Sequence, residues 1–159
     1  MKKLFLPILA AALFTIGVEK TQAQAPYKTA IGLAFDMGTG PTLWGPQIKH
    51  AFNGNNAGNA QVLFGDNHTV IGVDYSYNRP VPNAQGLNWF VGIGPQLAFV
   101  DQGPKDKTYF AIRPAAGLEY KISTLPLGVH FDWKPWWNLT NDSNFKGGRF
   151  SLGLKYVLN

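Results

Sequence analysis

The chain contains no cysteine. That absence removes disulfides, thiolate metal sites, a cysteine nucleophile and a lipoprotein-type acyl anchor together. Charge is also scarce: Asp, Glu, Lys and Arg make up 14% of the residues, against about 25% in ordinary soluble domains. Beyond the N-terminal segment, no apolar run approaches the roughly 18 residues that a transmembrane helix needs. The formal net charge is +5, but Lys and Arg form no cluster, so no nucleic-acid partner is expected. Part of that charge lies in the first 23 residues, on Lys2, Lys3 and Lys20 against Glu19. The remainder carries 11 basic and 8 acidic residues, or +3.

Residues 1–23 read as a secretory signal peptide. Lys2 and Lys3 make the charged start, Leu4 to Val18 the apolar segment, and Thr21-Gln22-Ala23 a small-x-small cleavage site. Cleavage after Ala25 would place Pro26 beside the scissile bond, so cleavage after Ala23 is favoured. The mature domain is then 24–159.

From Tyr27 onward, period-two runs recur between clusters of Gly, Pro, Asn and Asp. Eight strands are predicted, at about 28–36, 42–52, 59–65, 68–78, 87–100, 108–122, 127–138 and 149–159. The last is the clearest. Phe150, Leu152, Leu154, Tyr156 and Leu158 share one face; Arg149, Ser151, Gly153 and Lys155 share the other. It matches the length of a membrane-crossing strand, about 9–11 residues, and its free edge needs a partner. The first strand is the expected partner, which closes an up-and-down barrel.

Alternation alone does not say which face is inside, but charge and size do. On the oily faces the polar members are a few Thr and His50. The strand charges fall on the opposite face. A charge facing hydrocarbon costs about 2–4 kcal/mol at the midplane. The polar face is also small, with Ala30, Gly32, Ala34, Gly45, Gly72, Gly92, Gly94, Ala115, Gly117, Gly128 and Gly153 on it. An eight-stranded barrel has room inside for modest side chains only. The oily face is therefore expected to meet lipid. With a periplasmic N-terminus, Phe52, Tyr77, Trp89, Tyr120 and Tyr156 form one aromatic belt. Phe35, Trp44, Phe64, Phe99, Phe110 and Trp137 form the other. Pro46, Pro95, Pro114 and Pro135 interrupt strands and predict bulges or strand ends.

On these residues the chain resembles the small eight-stranded outer-membrane barrels of the OmpX/OmpA type, especially those common in Bacteroidetes. The resemblance covers about 27–159. It is carried by the signal peptide, Gly86-Leu87-Asn88-Trp89, Gly117-Leu118-Glu119-Tyr120-Lys121, Asp132-Trp133-Lys134-Pro135 and the terminal strand. The resemblance implies an all-β, eight-stranded antiparallel transmembrane barrel in the cell outer membrane. It also implies lipid as a partner, and the barrel-assembly machinery during insertion. Ser151, Gly153, Tyr156 and Leu158 match that machinery's recognition pattern, with Asn159 in place of the usual terminal Phe. The protein is expected to be a monomer.

No catalytic, cofactor or metal site is expected. His130 falls opposite Glu119 in the expected hairpin register, which could make an acid/base pair or a satisfied interior contact. His68-Thr69 is the sharpest hint of an outer-membrane lipid-modifying enzyme. The one real constellation is interior charge. Lys49, Arg113, Lys121, Lys134, Arg149 and Lys155 meet Asp36, Asp74, Glu119 and Asp132. Buried charges must be paired or hydrated. The leading reading is a polar plug that serves a structural, envelope-related barrel. The alternative is a narrow anion-preferring pore, motivated by the excess of two positive charges. Asp36 is expected to pair with Arg149 across the closing seam.

Overall fold

The computed structural model describes residues 26–140 and 143–158. The signal segment, its cleavage site and Asn159 lie outside the described residues. The chain forms β1 (Thr29–Gly38), β2 (Leu43–Asn53), β3 (Asn56–Gly65), β4 (His68–Pro80), β5 (Leu87–Val100), β6 (Lys107–Lys121), β7 (Leu127–Trp133), β8 (Trp136–Asn138), β9 (Asn144–Lys146) and β10 (Arg149–Val157). Neighbours pair antiparallel, and β1 pairs with β10 from Ala30↔Val157 to Gly38↔Arg149. That pairing removes both free edges, as the loose edge of the last strand required.

Ten segments make eight staves. β7 and β8 face β6 in one continuous register, from Lys121↔Gly128 to Ala111↔Asn138. They are one stave, interrupted at Lys134-Pro135. β9 pairs with β8, and β10 with β7, so β9 and β10 form the next stave. Between Trp133↔Phe150 and Trp136↔Lys146 the register slips by one residue. The extra residue falls at Gly147-Gly148, a bulge that bends the stave. The stretch 139–147, expected to be all loop, therefore carries a strand.

The third strand is also longer than expected. It begins at Asn56, and the turn shrinks to Gly54-Asn55, with Gly54 at φ 48°. Ala57 is fully buried and Gly58 pairs with both His50 and Tyr75. Cross-strand pairing on both sides outweighs the turn chemistry of the Asn-Gly run.

None of the four prolines bulges its own strand, and Pro135 alone marks a strand end, between β7 and β8. Pro46 keeps its place opposite Leu33 of β1, while the β2–β3 ladder skips from Trp44↔Phe64 to Gln47↔Gln61. Pro95 stays opposite Ile112 of β6, while β4–β5 skips from Gly72↔Gln96 to Tyr75↔Ile93. In an antiparallel ladder the N–H and C=O of one residue address the same neighbour. Each proline thus opens the ladder on the side its missing N–H would serve, and the flanking bonds hold the register. Pro114 and Pro135 lie opposite each other in the β6 register, so neither strands a donor across the gap.

The alternation sorts side chains as expected. In β2, Leu43 is 3% exposed and Trp44 54%. In β10, Arg149, Ser151, Gly153 and Lys155 are buried inside, while Phe150, Leu152, Leu154 and Tyr156 face outward. Phe35, Trp44 and Phe64 stand in register across three strands, with Phe99 two strands further on, beyond Thr69 of β4, at the same level. These rings are exposed and form the belt distal to the chain ends. Phe52, Tyr120 and Tyr156 are exposed near the other rim, where the Tyr77 and Trp89 rings lie 6.2 Å apart.

Candidate functional site in the barrel lumen

The inward-facing residues of all eight staves meet in one lumen, and its two ends differ. At the rim nearest the chain ends, Glu119 of β6 is fully buried. Lys49 of β2 reaches it from across the barrel, and Lys155 of β10 donates to its Oε1 at 2.7 Å. The Tyr27 hydroxyl donates to the same carboxylate. Lys49 also donates to Asn78 Oδ1 at 2.8 Å. One carboxylate therefore gathers two ammonium groups and a phenol, each with a hydrogen bond. That pairing is what a charge needs to remain buried.

A second tier lies further in. Lys134 pairs with Asp74. Gln96 donates to Asp74 Oδ1 at 2.9 Å, and Gln61 donates to Gln96 at 3.3 Å. Asp132 Oδ1 stands 3.4 Å from His130 Nε2. The His130 ring packs edge-on to Phe90, 6.4 Å between centres, and Lys49 lies 5.2 Å from the Phe90 ring centre. The space left among these tiers amounts to about 40 Å³, room for a few water molecules. Gly153 shows how tight the packing is: a Cβ there would run into the His130 ring and the Gln47 amide.

The third tier spans the closing seam. Arg149 donates to Asp36 Oδ1 through Nε at 2.9 Å and Nη2 at 2.6 Å. The expected pair is present, with both donors converging on one carboxylate oxygen. Arg113 binds the other oxygen of Asp36 and the carbonyls of Lys134 and Pro135. It also stacks on Trp136, 5.1 Å from the ring centre. The Pro135 interruption is what frees those carbonyls for Arg113.

Beyond Asp36 the character changes. Ala34, Leu43, Leu63, Val70 and Ala98 form an apolar cluster inside the barrel, with Tyr109 and Trp136 against it. The inner face was expected to be polar and small throughout. It is apolar and partly large at this end. A cavity of about 280 Å³ opens here, lined by Leu43, Val70, Tyr109, Trp136, Lys146 and Arg149 among others.

Ten of the eleven expected interior residues thus join contacts. Lys121 does not: it is half-buried at the rim, its Nζ 3.4 Å from the Ile122 carbonyl. Glu119 and His130 do stand opposite each other in register. However, the hydrogen-bonding partners of the carboxylate are Lys49, Lys155 and Tyr27, and His130 faces Asp132 instead. His68 Nδ1 engages the Asp66 carbonyl, while Thr69, next along the strand, projects to the opposite face. Among the described residues no group of acidic and His side chains could hold a metal ion. Sequence reasoning missed Tyr27 and Phe90. Tyr27 precedes the first strand, so no period assigns it a face. Phe90 does fall on the inner face of β5 by alternation, but its size argued against an inside place.

No protein-family model and no curated protein sequence matches the chain. Solved structures do. The N-terminal β-barrel domain of Pseudomonas aeruginosa OprF aligns with a TM-score of 0.66 at 13% identity, over 80% of this chain and 95% of that one. A de novo designed transmembrane β-barrel aligns at 0.59 and 14% identity, over 84% and 98%. Neisserial surface protein A aligns at 0.52 and 16% identity, over 83% and 97%. The likeness is one of fold: a closed, eight-stranded antiparallel barrel of the outer-membrane type.

Proposed function

We propose that the protein is an integral outer-membrane barrel with a structural, envelope-related role, its lumen sealed by the tiers around Glu119, Asp74 and Asp36. One observation carries the reading. The outer wall carries large apolar residues on strand after strand, such as Leu33, Trp44, Ile71, Ile93, Phe131 and Leu154, all more than a third exposed. A soluble protein rarely shows a contiguous apolar patch beyond a few hundred Å². Lipid is the partner that such a wall suits. On this reading the signal segment exports the chain, the rim at the chain ends faces the periplasm, and the barrel works as a monomer. The assembly machinery reads Ser151, Gly153, Tyr156 and Leu158.

The same seal speaks against the narrow anion-preferring pore. Without Lys121, five basic and four acidic side chains remain in the tiers; Asp36, Asp74 and Glu119 are each held by Lys or Arg, and Asp132 faces His130. Among the described residues a lipid-modifying activity finds no assembled nucleophile and base at His68-Thr69, where the His68 ring is engaged and Thr69 points away. Fractionation of cells combined with gel migration of unheated and boiled samples tests the location. The expected outcome is recovery with the outer membrane and faster migration before boiling. A soluble periplasmic protein with no heat-dependent shift would overturn the proposal.

A further inference from the structure

We infer that the open end of the lumen is a binding site for a small aromatic carboxylate. The cavity there has about 280 Å³ of free space, near the lower end of the range for small-molecule sites. Its walls are Leu43, Val70, Ala98, Val100, Tyr109 and Trp136, two of them rings that can stack on a flat body. The floor is set by the Asp36–Arg113–Arg149 tier, which is buried and tied together by ion pairs. A long alkyl chain therefore finds no depth, whereas a one- or two-ring body does.

The charge at this end calls for an anion. Asp36 is a single carboxylate shared by two guanidinium groups. Lys146 of β9 lines the same cavity, and among the described residues its ammonium group makes no ion pair or hydrogen bond. It converges with Arg149 at Gly40. The Arg149 Nη1 and Lys146 Nζ atoms lie 3.2 and 3.7 Å from the point where a Cβ on Gly40 would stand. Arg149 spends its donors on Asp36 and on the Thr39 and Pro41 carbonyls. It supplies field, and Lys146 supplies the hydrogen bond. A carboxylate beside Lys146, with its ring against Trp136 and Tyr109, satisfies both an ammonium group that no described residue engages and the apolar walls. The site depends on the barrel and not on where the barrel resides.

The test uses the full mature chain in phosphatidylcholine vesicles, titrated calorimetrically with 2-naphthoate and with its neutral counterpart 2-naphthamide. Empty vesicles correct for partition into lipid. The expected result is saturable binding of naphthoate, on the order of tenfold tighter than the amide. Lys146→Gln should remove most of that difference. Val70→Trp, which fills the cavity, should abolish binding of both probes. Heat-dependent gel migration reports that each variant is folded. Equal affinity for acid and amide, unchanged binding by a folded Val70→Trp, or heat no greater than that of empty vesicles would each overturn the inference.

Discussion

The two halves of the lumen are built by the same strands and the same alternation, yet they solve opposite problems. Toward the chain ends, Glu119, Lys49, Lys155, Asp74, Lys134 and the Tyr27 stopper fill the interior with mutually neutralised polar groups. Toward the far rim, Leu43, Val70 and Ala98 line a wall, backed by Leu63, that their side chains do not fill. A barrel wall specifies which residues point inward but not what they do there. In the first half the charged groups depend on their partners, and in the second the wall is apolar and makes no such demand. The consequence is a difference in tolerance that mutation can measure.

The largest expected effect is at Glu119. Glu119→Gln leaves two buried ammonium groups without their counter-ion, a loss of the kind that costs about 3–5 kcal/mol. Urea unfolding of the barrel in vesicles reads it directly. Adding Lys49→Gln and Lys155→Gln should restore part of the loss, because the charges then disappear together. If the single variant unfolds like the parent, the terminal half is not held by charge and the contrast fails. Gly153→Ala comes next. The new methyl meets the His130 ring and the Gln47 amide, so overpacking should cost about 1–3 kcal/mol. Gly128→Ala serves as the control, since the nearest atom to its added Cβ is 3.7 Å away on Tyr27.

Tyr27→Phe removes one hydroxyl donor from the Glu119 carboxylate and keeps the ring. It should cost about 0.5–1.5 kcal/mol in the same unfolding measurement. The smallest effect belongs to the far half. Val70→Phe adds volume to a cavity with room for it, and should shift stability by less than about 1 kcal/mol. A loss there as large as that of Gly153→Ala would mean that the far half is as closely packed as the near one.

Much of this division was legible in the residues. Period-two alternation placed Asp36, Arg149 and Lys155 inside and Phe150 to Tyr156 outside. The free edge of the last strand demanded the first as its partner. Other features were hidden for identifiable reasons. Whether a proline opens a ladder or bulges it depends on which neighbour its missing N–H faces, and that is a property of register. The strand at Asn144–Lys146 is held by pairing with Trp136–Asn138 and not by its own propensity. The apolar cluster was obscured because Leu63 and Val70, partners across one hairpin, are joined to Tyr109 only through Ala98 on the next strand. Tyr27 lies ahead of the periodic region, and its place under Glu119 follows from the path of the chain alone.

The most direct measurement is single-channel recording of the wild-type barrel in planar bilayers, with insertion verified by heat-dependent migration of the same preparation. A lumen sealed by the Glu119, Asp74 and Asp36 tiers gives no resolvable conductance steps. Steady, reproducible steps from the inserted protein would contradict the seal, and with it the division of the lumen into a closed half and an open one.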